Sequence, residues 1–236
     1  METERIHWVD SFRGLAIFMM MIFHIFFDLD LLGIYSIDFH TTFWLVFGHI
    51  IRLTFLTLVG VSLYLSYKKR EPYKIYVRHQ TWRAIKLFLI AMGVTLASYL
   101  AFPGDYIRFG VLHFISVGII AGALLIRKPY TLIALIFISL ILGAAFTCII
   151  SKTTLLMPLG IVYPGFNSMD YFPVFPWISV IFFGIIFARF LDKHHFLINP
   201  EIFPRLKMFE KMGRKSLIIY LVHQPVLFGL IWLIFK

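Results

Sequence analysis

The chain has 236 residues, 60% of them hydrophobic and 14% charged, with a net charge of +10. A soluble domain carries about 25% charged residues, so an ordinary water-soluble protein is excluded. The positive charge does not mark a nucleic-acid partner either. The basic residues stand in short stretches beside apolar runs, as anionic headgroups and the positive-inside rule require.

Seven apolar stretches follow in chain order: Gly14–Leu32, Thr42–Tyr67, Ala84–Phe102, Val111–Ile126, Thr131–Ser151, Pro176–Leu191 and Leu217–Phe235. The fourth is short and is allowed to begin near Ile107. Crossing about 30 Å of hydrocarbon takes about 20 apolar residues as a helix. Strands of this length would alternate polar and apolar positions, and these do not. The predicted fold is all-α, a polytopic membrane bundle of about seven transmembrane helices, with residues 1–236 as one domain. The first run follows a polar start without a small-residue cleavage site, so it reads as a retained anchor rather than a signal peptide. The one cysteine, Cys148, lies in an apolar run, which leaves neither an intrachain disulfide nor a cysteine-rich metal site.

The connections fix the orientation. Residues 68–83 carry six Lys and Arg, residues 192–216 carry six more, Arg127 and Lys128 join the fourth and fifth segments, and Arg5 and Arg13 lie at the start. These sixteen of the 22 basic residues share one side, which must be cytoplasmic. Arg108, Lys152 and Lys236 fall opposite, with Asp28, Asp30, Asp38, Asp105 and Asp170. The N-terminus is therefore expected inside. Residues 152–174, rich in Pro, Gly and aromatics, are expected to fold back as a re-entrant cap. The inner stretch 192–216 contains Pro200 and Pro204, and Pro204–Lys215 suits a short amphipathic helix on the leaflet.

Ionisable groups inside hydrocarbon cost a few kcal/mol each and mark candidate sites. Asp10 and Arg13 are neighbours at i,i+3 where the first helix meets the cytoplasm. They form either an anchoring ion pair or a contact for an anionic cofactor, whose phosphates suit the planar guanidinium fork. His24 is eleven residues further, about 16 Å deeper along a helix, and Asp28 shares its face at i+4. A carboxylate beside an imidazole is what a general base needs. His49 and Arg52 share a face of the second helix. A buried Arg52 calls for an anionic neighbour, either Asp28 or a ligand. His40 sits in the first outer loop, His113 near the outer end of the fourth helix and His223 beside Gln224 in the last, where a polar clasp between helices is the plainer reading. Pro225 is expected to free the Leu221 carbonyl and kink that helix. Asp170 either meets an acceptor or caps the helix that follows it. No two of these histidines stand at i,i+4 on one helix, and no HExxH, Walker, G-x-S-x-G or GxGxxG motif occurs, so no metal is expected.

The opening RIHWVDSFRGLAIFMMMIFH resembles the start of the transmembrane acyltransferases. There an R…D..RG.A segment opens the first helix and a His or Asn stands fourteen residues after the Asp. Here those positions are Asp10 and His24. FGVLHFISVG, MDYFPVFPWISVIFFG and GRKSLIIYLVHQPVLF narrow the match. They resemble the prokaryotic membrane proteins that share the catalytic domain of heparan-alpha-glucosaminide N-acetyltransferase, over about Arg5 to Leu230. The resemblance implies transfer of an acyl group, acetyl above all, from cytosolic acetyl-CoA as co-substrate to an acceptor on the outer face. The lysosomal enzymes act on a glucosamine amine and carry a catalytic His in the loop after the first helix, for which His40 is the nearest counterpart. They have Asn where this chain has His24, whereas related carbohydrate O-acyltransferases have His there. The base is then His24, His40 or both.

On this reading Asp10, Arg13 and Arg52 hold the coenzyme, while His24, Asp28, His113 and His40 do the chemistry. Asp170, His49 and His223 meet a glycan or other small acceptor. Arg52 or His113 steadies the oxyanion, and transfer is direct or through an acyl-His. The bilayer and acyl-CoA are the other expected partners, nucleic acid is not, and a homo-oligomer is compatible with the sequence. The rival reading is a small proton-coupled transporter or channel that uses His24, Asp28, His49 and His113 as a relay.

Overall fold

The computed structural model describes residues 6–70, 72–197 and 206–235. Arg5, Pro200, Pro204, Arg205 and Lys236, which figure in the reasoning above, lie outside the described residues. Eight α-helices occur among those described: α1 (His7–Leu31), α2 (Thr42–Lys68), α3 (Tyr73–Ala101), α4 (Val111–Leu125), α5 (Pro129–Phe146), α6 (Val174–Lys193), α7 (Lys207–Arg214) and α8 (Ser216–Phe235). Six are long and apolar enough to cross a membrane: α1, α2, α3, α5, α6 and α8. The apolar helix α4 has 15 residues. The chain is a polytopic helical membrane protein, and its helices coincide with the seven apolar stretches.

The differences lie at the ends. Helix α3 begins at Tyr73, eleven residues before its apolar run, so the basic stretch 74–83 is itself helical. The earlier start allowed for α4 does not occur. Residues 107–110 instead run beside 168–172, where Phe109 bridges Tyr171 and the Phe172 N–H donates to the Phe109 carbonyl at 2.9 Å. Residues 152–174 contain a 3-10 turn, Thr154–Leu159, closed by Gly160 at φ +117°. The predicted amphipathic helix is α7, with Lys207, Lys211, Arg214 and Lys215 on its exposed side or just past its end. Helix α8 continues through Pro225.

The helices fall into two compact units. One comprises Met1–Leu58 with Asp192–Lys236, and the other Val59–Leu191. Helix α2 runs through the division. In the first unit α1 packs on α7 and α8. It ends in a tight turn at Gly33 (φ +68°), whose N–H donates to the Asp30 carbonyl while the Ile34 N–H reaches back to that of Leu29. Rings interlock around the connection to α2: Phe23 of α1 meets Phe39 of the connection and Trp44 of α2, and Phe26 also meets Trp44.

In the second unit α6 is the central element. A Cβ on Gly60 of α2 would collide with the Ile181 carbonyl of α6, so these backbones touch because a side chain is missing. Ile181 and Ile185 fill the grooves left by Gly118 and Gly122 of α4 and are completely buried. Pro176 lies over Gly143 of α5, and the Ser139 hydroxyl donates to the Pro176 carbonyl at 3.1 Å. Tyr73 caps α4 at the other end, its hydroxyl donating to the carbonyls of Ala123 and Leu124. Arg189 does the same at the Ile126 carbonyl.

Candidate active site

The first turns of α1 are fastened from the far end of the chain. The Trp8 indole N–H donates to the Leu197 carbonyl at 2.9 Å. The Ser11 hydroxyl accepts from the Leu206 N–H at 3.1 Å and donates to that residue's carbonyl at 3.4 Å. Glu210 is buried on α7, where it meets His7 Nδ1 at 3.0 Å and the Arg214 guanidinium. Two glycines face each other between the helices. A Cβ on Gly14 would collide with the Phe209 carbonyl, and one on Gly213 with that of Asp10. On this platform Arg13 donates to Asp10 Oδ1 at 2.9 Å, both side chains being largely covered. The ion pair read from the i,i+3 spacing therefore exists, and it presents a guanidinium at one end of α1.

One helical stretch deeper, α1 meets α8 through polar side chains. Asp28 is fully buried, and its Oδ1 accepts from Gln224 Nε2 at 2.6 Å. The rings of His24 and His223 stand edge to face with centroids 5.0 Å apart. Phe23 and Phe27 flank His24 with their edges. His223 Nδ1 is 2.6 Å from the Tyr220 carbonyl of its own helix. Four buried atoms of this group have no hydrogen-bond partner in the protein: His24 Nδ1, Asp28 Oδ2, His223 Nε2 and Gln224 Oε1. Each such atom costs about 1–3 kcal/mol relative to a satisfied one. Buried polar groups are as a rule hydrogen-bonded, so four such atoms together mark this cluster as the candidate site.

The pairing differs in detail from the one expected. His24 and Asp28 do share a face of α1, but Asp28 turns to Gln224 rather than to His24. The clasp between helices therefore belongs to Gln224, and His223 stands free of it against His24. Nothing in the spacing announces this, because 196 residues separate Asp28 from Gln224.

The other candidates of this unit lie nearer the surface. His40 is exposed in the turn between α1 and α2, and its backbone N–H donates to Asp38 Oδ1 at 2.8 Å. His49 is exposed on α2 with Nδ1 2.7 Å from the Leu45 carbonyl. Arg52 folds back along α2, its Nη2 3.2 Å from where a Cβ on Gly48 would stand.

In the second unit His113 is buried on α4, stacked on Phe109 and met edge-on by Phe88. Its Nε2 has no partner in the protein. Asp170 caps a helix, but not the one that follows it in sequence. Its Oδ2 accepts from the Val111 N–H at 2.9 Å, at the N-terminus of α4, and its carboxylate fills the space that a Cβ on Gly110 would need. Beside it Asn167 Nδ2 donates to Asp105 Oδ1 at 2.5 Å, and the Arg108 guanidinium lies 4.4 Å from the centre of the Tyr106 ring. The Tyr171 hydroxyl donates to the Met157 carbonyl at 2.7 Å, and burial pushes this phenol up to about 12.

Gly14, Ser11, Glu210 and Gly213 were not picked out as positioning residues from the sequence. Glu210 had the clearest signal, as the one acid in KMFEKMGRK. Among the described residues no group of three or more His, Cys, Asp and Glu is placed to hold a metal ion.

A family model described as "Heparan-alpha-glucosaminide N-acetyltransferase, catalytic" matches residues 5–225. No curated protein and no solved structure matches the chain.

Proposed function

The chain belongs to the heparan-alpha-glucosaminide N-acetyltransferase catalytic family, as its motifs suggested, and from that premise we propose that this membrane acetyltransferase moves an acetyl group from cytosolic acetyl-CoA to an acceptor on the opposite face of the bilayer. The observation that carries this reading is the buried α1–α8 cluster, with its unpartnered imidazole, carboxylate and amide atoms. The sixteen Lys and Arg on one set of connections favour a cytoplasmic N-terminus, and the resemblance to prokaryotic membrane proteins favours the plasma membrane of a prokaryote. The basic residues also favour approach of the polyanionic coenzyme from that side. Arg13, held by Asp10 beside α7, is suited to a phosphate of the coenzyme. Residues 1–236 then act as one catalytic domain.

The acceptor is a sugar amine or hydroxyl. As it attacks the thioester carbonyl its proton must leave, and the imidazole cluster around His24 takes it. General base catalysis of this kind contributes about 10²–10⁴-fold. Gln224 fixes one carboxylate oxygen of Asp28, and the other has no hydrogen-bond partner in the protein. Arg52 is a candidate for steadying the oxyanion, and His40 and His49 for meeting the acceptor.

The test is purified protein in detergent or liposomes, with acetyl-CoA and glucosamine as the probe acceptor. Acceptor-dependent release of coenzyme thiol is expected, and His24→Ala is expected to abolish it while the protein still elutes as a folded species. Proton or solute flux in liposomes without thiol release would replace the enzyme reading with the transporter one.

A further inference from the structure

We infer that His223 is the member of the imidazole cluster that takes the acceptor proton, with its tautomer fixed by its own helix. The inference rests on the proposed acyl transfer and assigns a role within it. A carbonyl oxygen only accepts, so the 2.6 Å contact between His223 Nδ1 and the Tyr220 carbonyl places the ring proton on Nδ1. In the neutral ring Nε2 then carries the lone pair. That atom is buried and no protein group donates to it. It belongs to the ring that stands against His24.

His24 has no comparable orienting contact. Its Nδ1 has no partner, and the carboxylate one turn away is engaged by Gln224. The ring whose basic nitrogen is defined by its surroundings is therefore His223. A backbone carbonyl at Nδ1 both selects the tautomer and favours the imidazolium that forms when Nε2 takes a proton. Tyr220 supplies this without a second side chain, five residues before Pro225.

The step balances. The acceptor N–H or O–H attacks the thioester carbonyl carbon, forming a C–N or C–O bond. The proton passes from the acceptor heteroatom to His223 Nε2, which gives an imidazolium. The tetrahedral adduct collapses, the C–S bond breaks, and the departing coenzyme sulfur takes the proton from Nε2. The ring returns to its Nδ1–H form.

His223→Asn tests this, because its side-chain N–H₂ replaces the Nδ1 donor to Tyr220 and leaves no base at this position. His223→Gln, which puts an amide where Nε2 stood, is run beside it. Both are assayed on the full chain for acetyl-CoA binding without acceptor and for thiol release with glucosamine. The expected result is a loss of kcat of about 10²–10⁴-fold in both variants, with coenzyme affinity within about three-fold of wild type. A kcat within about three-fold of wild type in either variant overturns the role of His223 and leaves the acyl-transfer reading standing. Loss of coenzyme binding together with rate also overturns it, because His223 would then hold the fold. A wild-type protein that consumes no acetyl-CoA removes the acyl-transfer reading, and this inference with it.

Discussion

Gly14→Ala is expected to loosen the platform on which the cofactor end of α1 is built. The Cβ it adds would collide with the backbone carbonyl of Phe209, and its neighbours there include the Gly213 nitrogen. Both obstacles are main chain, so no rotamer change relieves them and α7 must move away from α1. Overpacking that forces a backbone shift costs about 1–3 kcal/mol. For a chain of this length each kcal/mol moves Tm by about 2–4 °C, so a fall of about 2–12 °C is expected. Gly93→Ala is the control. That glycine lies inside α3 and its added Cβ meets nothing within 4 Å. Alanine there should raise stability by up to about 1 kcal/mol through helix propensity alone. The two substitutions are chemically identical and opposite in sign. The assay is intrinsic tryptophan fluorescence during a thermal ramp in detergent, with limited trypsin digestion at Lys207 and Lys211 as a second readout. Faster cleavage in Gly14→Ala would show that α7 has lifted. Equal melting temperatures for Gly14→Ala and wild type, with unchanged digestion, would refute the argument that these helices meet main chain to main chain.

Asp170→Ala removes the carboxylate that caps α4 and should cost about 0.5–2 kcal/mol, read as a lower Tm, while Asp170→Asn keeps most of the cap. A site dominated by acceptor recognition would instead lose acceptor affinity with no change in Tm. Tyr171 titrates up to about 12 in the folded protein because burial disfavours the phenolate. Between the free phenol value of about 10 and that value the folded state binds the extra proton, so the contribution is whole below pH 10 and is lost as pH rises through about 12. The difference between the spectrophotometric titrations of wild type and Tyr171→Phe should be one phenol that ionises well above the free value, near pH 12.

Membrane class and helix positions were legible because they follow from local physics. Each span must run through about 20 apolar residues with its backbone satisfied internally. The apolar run of α8, predicted at 217–235, therefore lies within Ser216–Phe235. The family was legible too, because Asp10, Arg13, Gly14 and His24 lie on one continuous helix and keep their spacing whatever packs around them. The start of α3 was not. A helix continues through polar residues once it has begun, so apolar content marks the span and not the helix.

Contacts between distant segments answer to a different cause. The i+4 spacing placed His24 and Asp28 on one face of α1, and it carried no information about which residues of another helix would lie opposite. Only the packing of α1 against α8 hands Asp28 to Gln224 and sets His24 against His223. In the same way, Asp170 caps α4 because residues 168–172 run alongside 107–110. Gly14 and Gly213 matter because two backbones meet there without a side chain between them. Chain periodicity settles the helices and the faces they offer. Which faces meet is decided by close packing across large separations in the chain, where a single hydrogen bond or a missing Cβ sets the register.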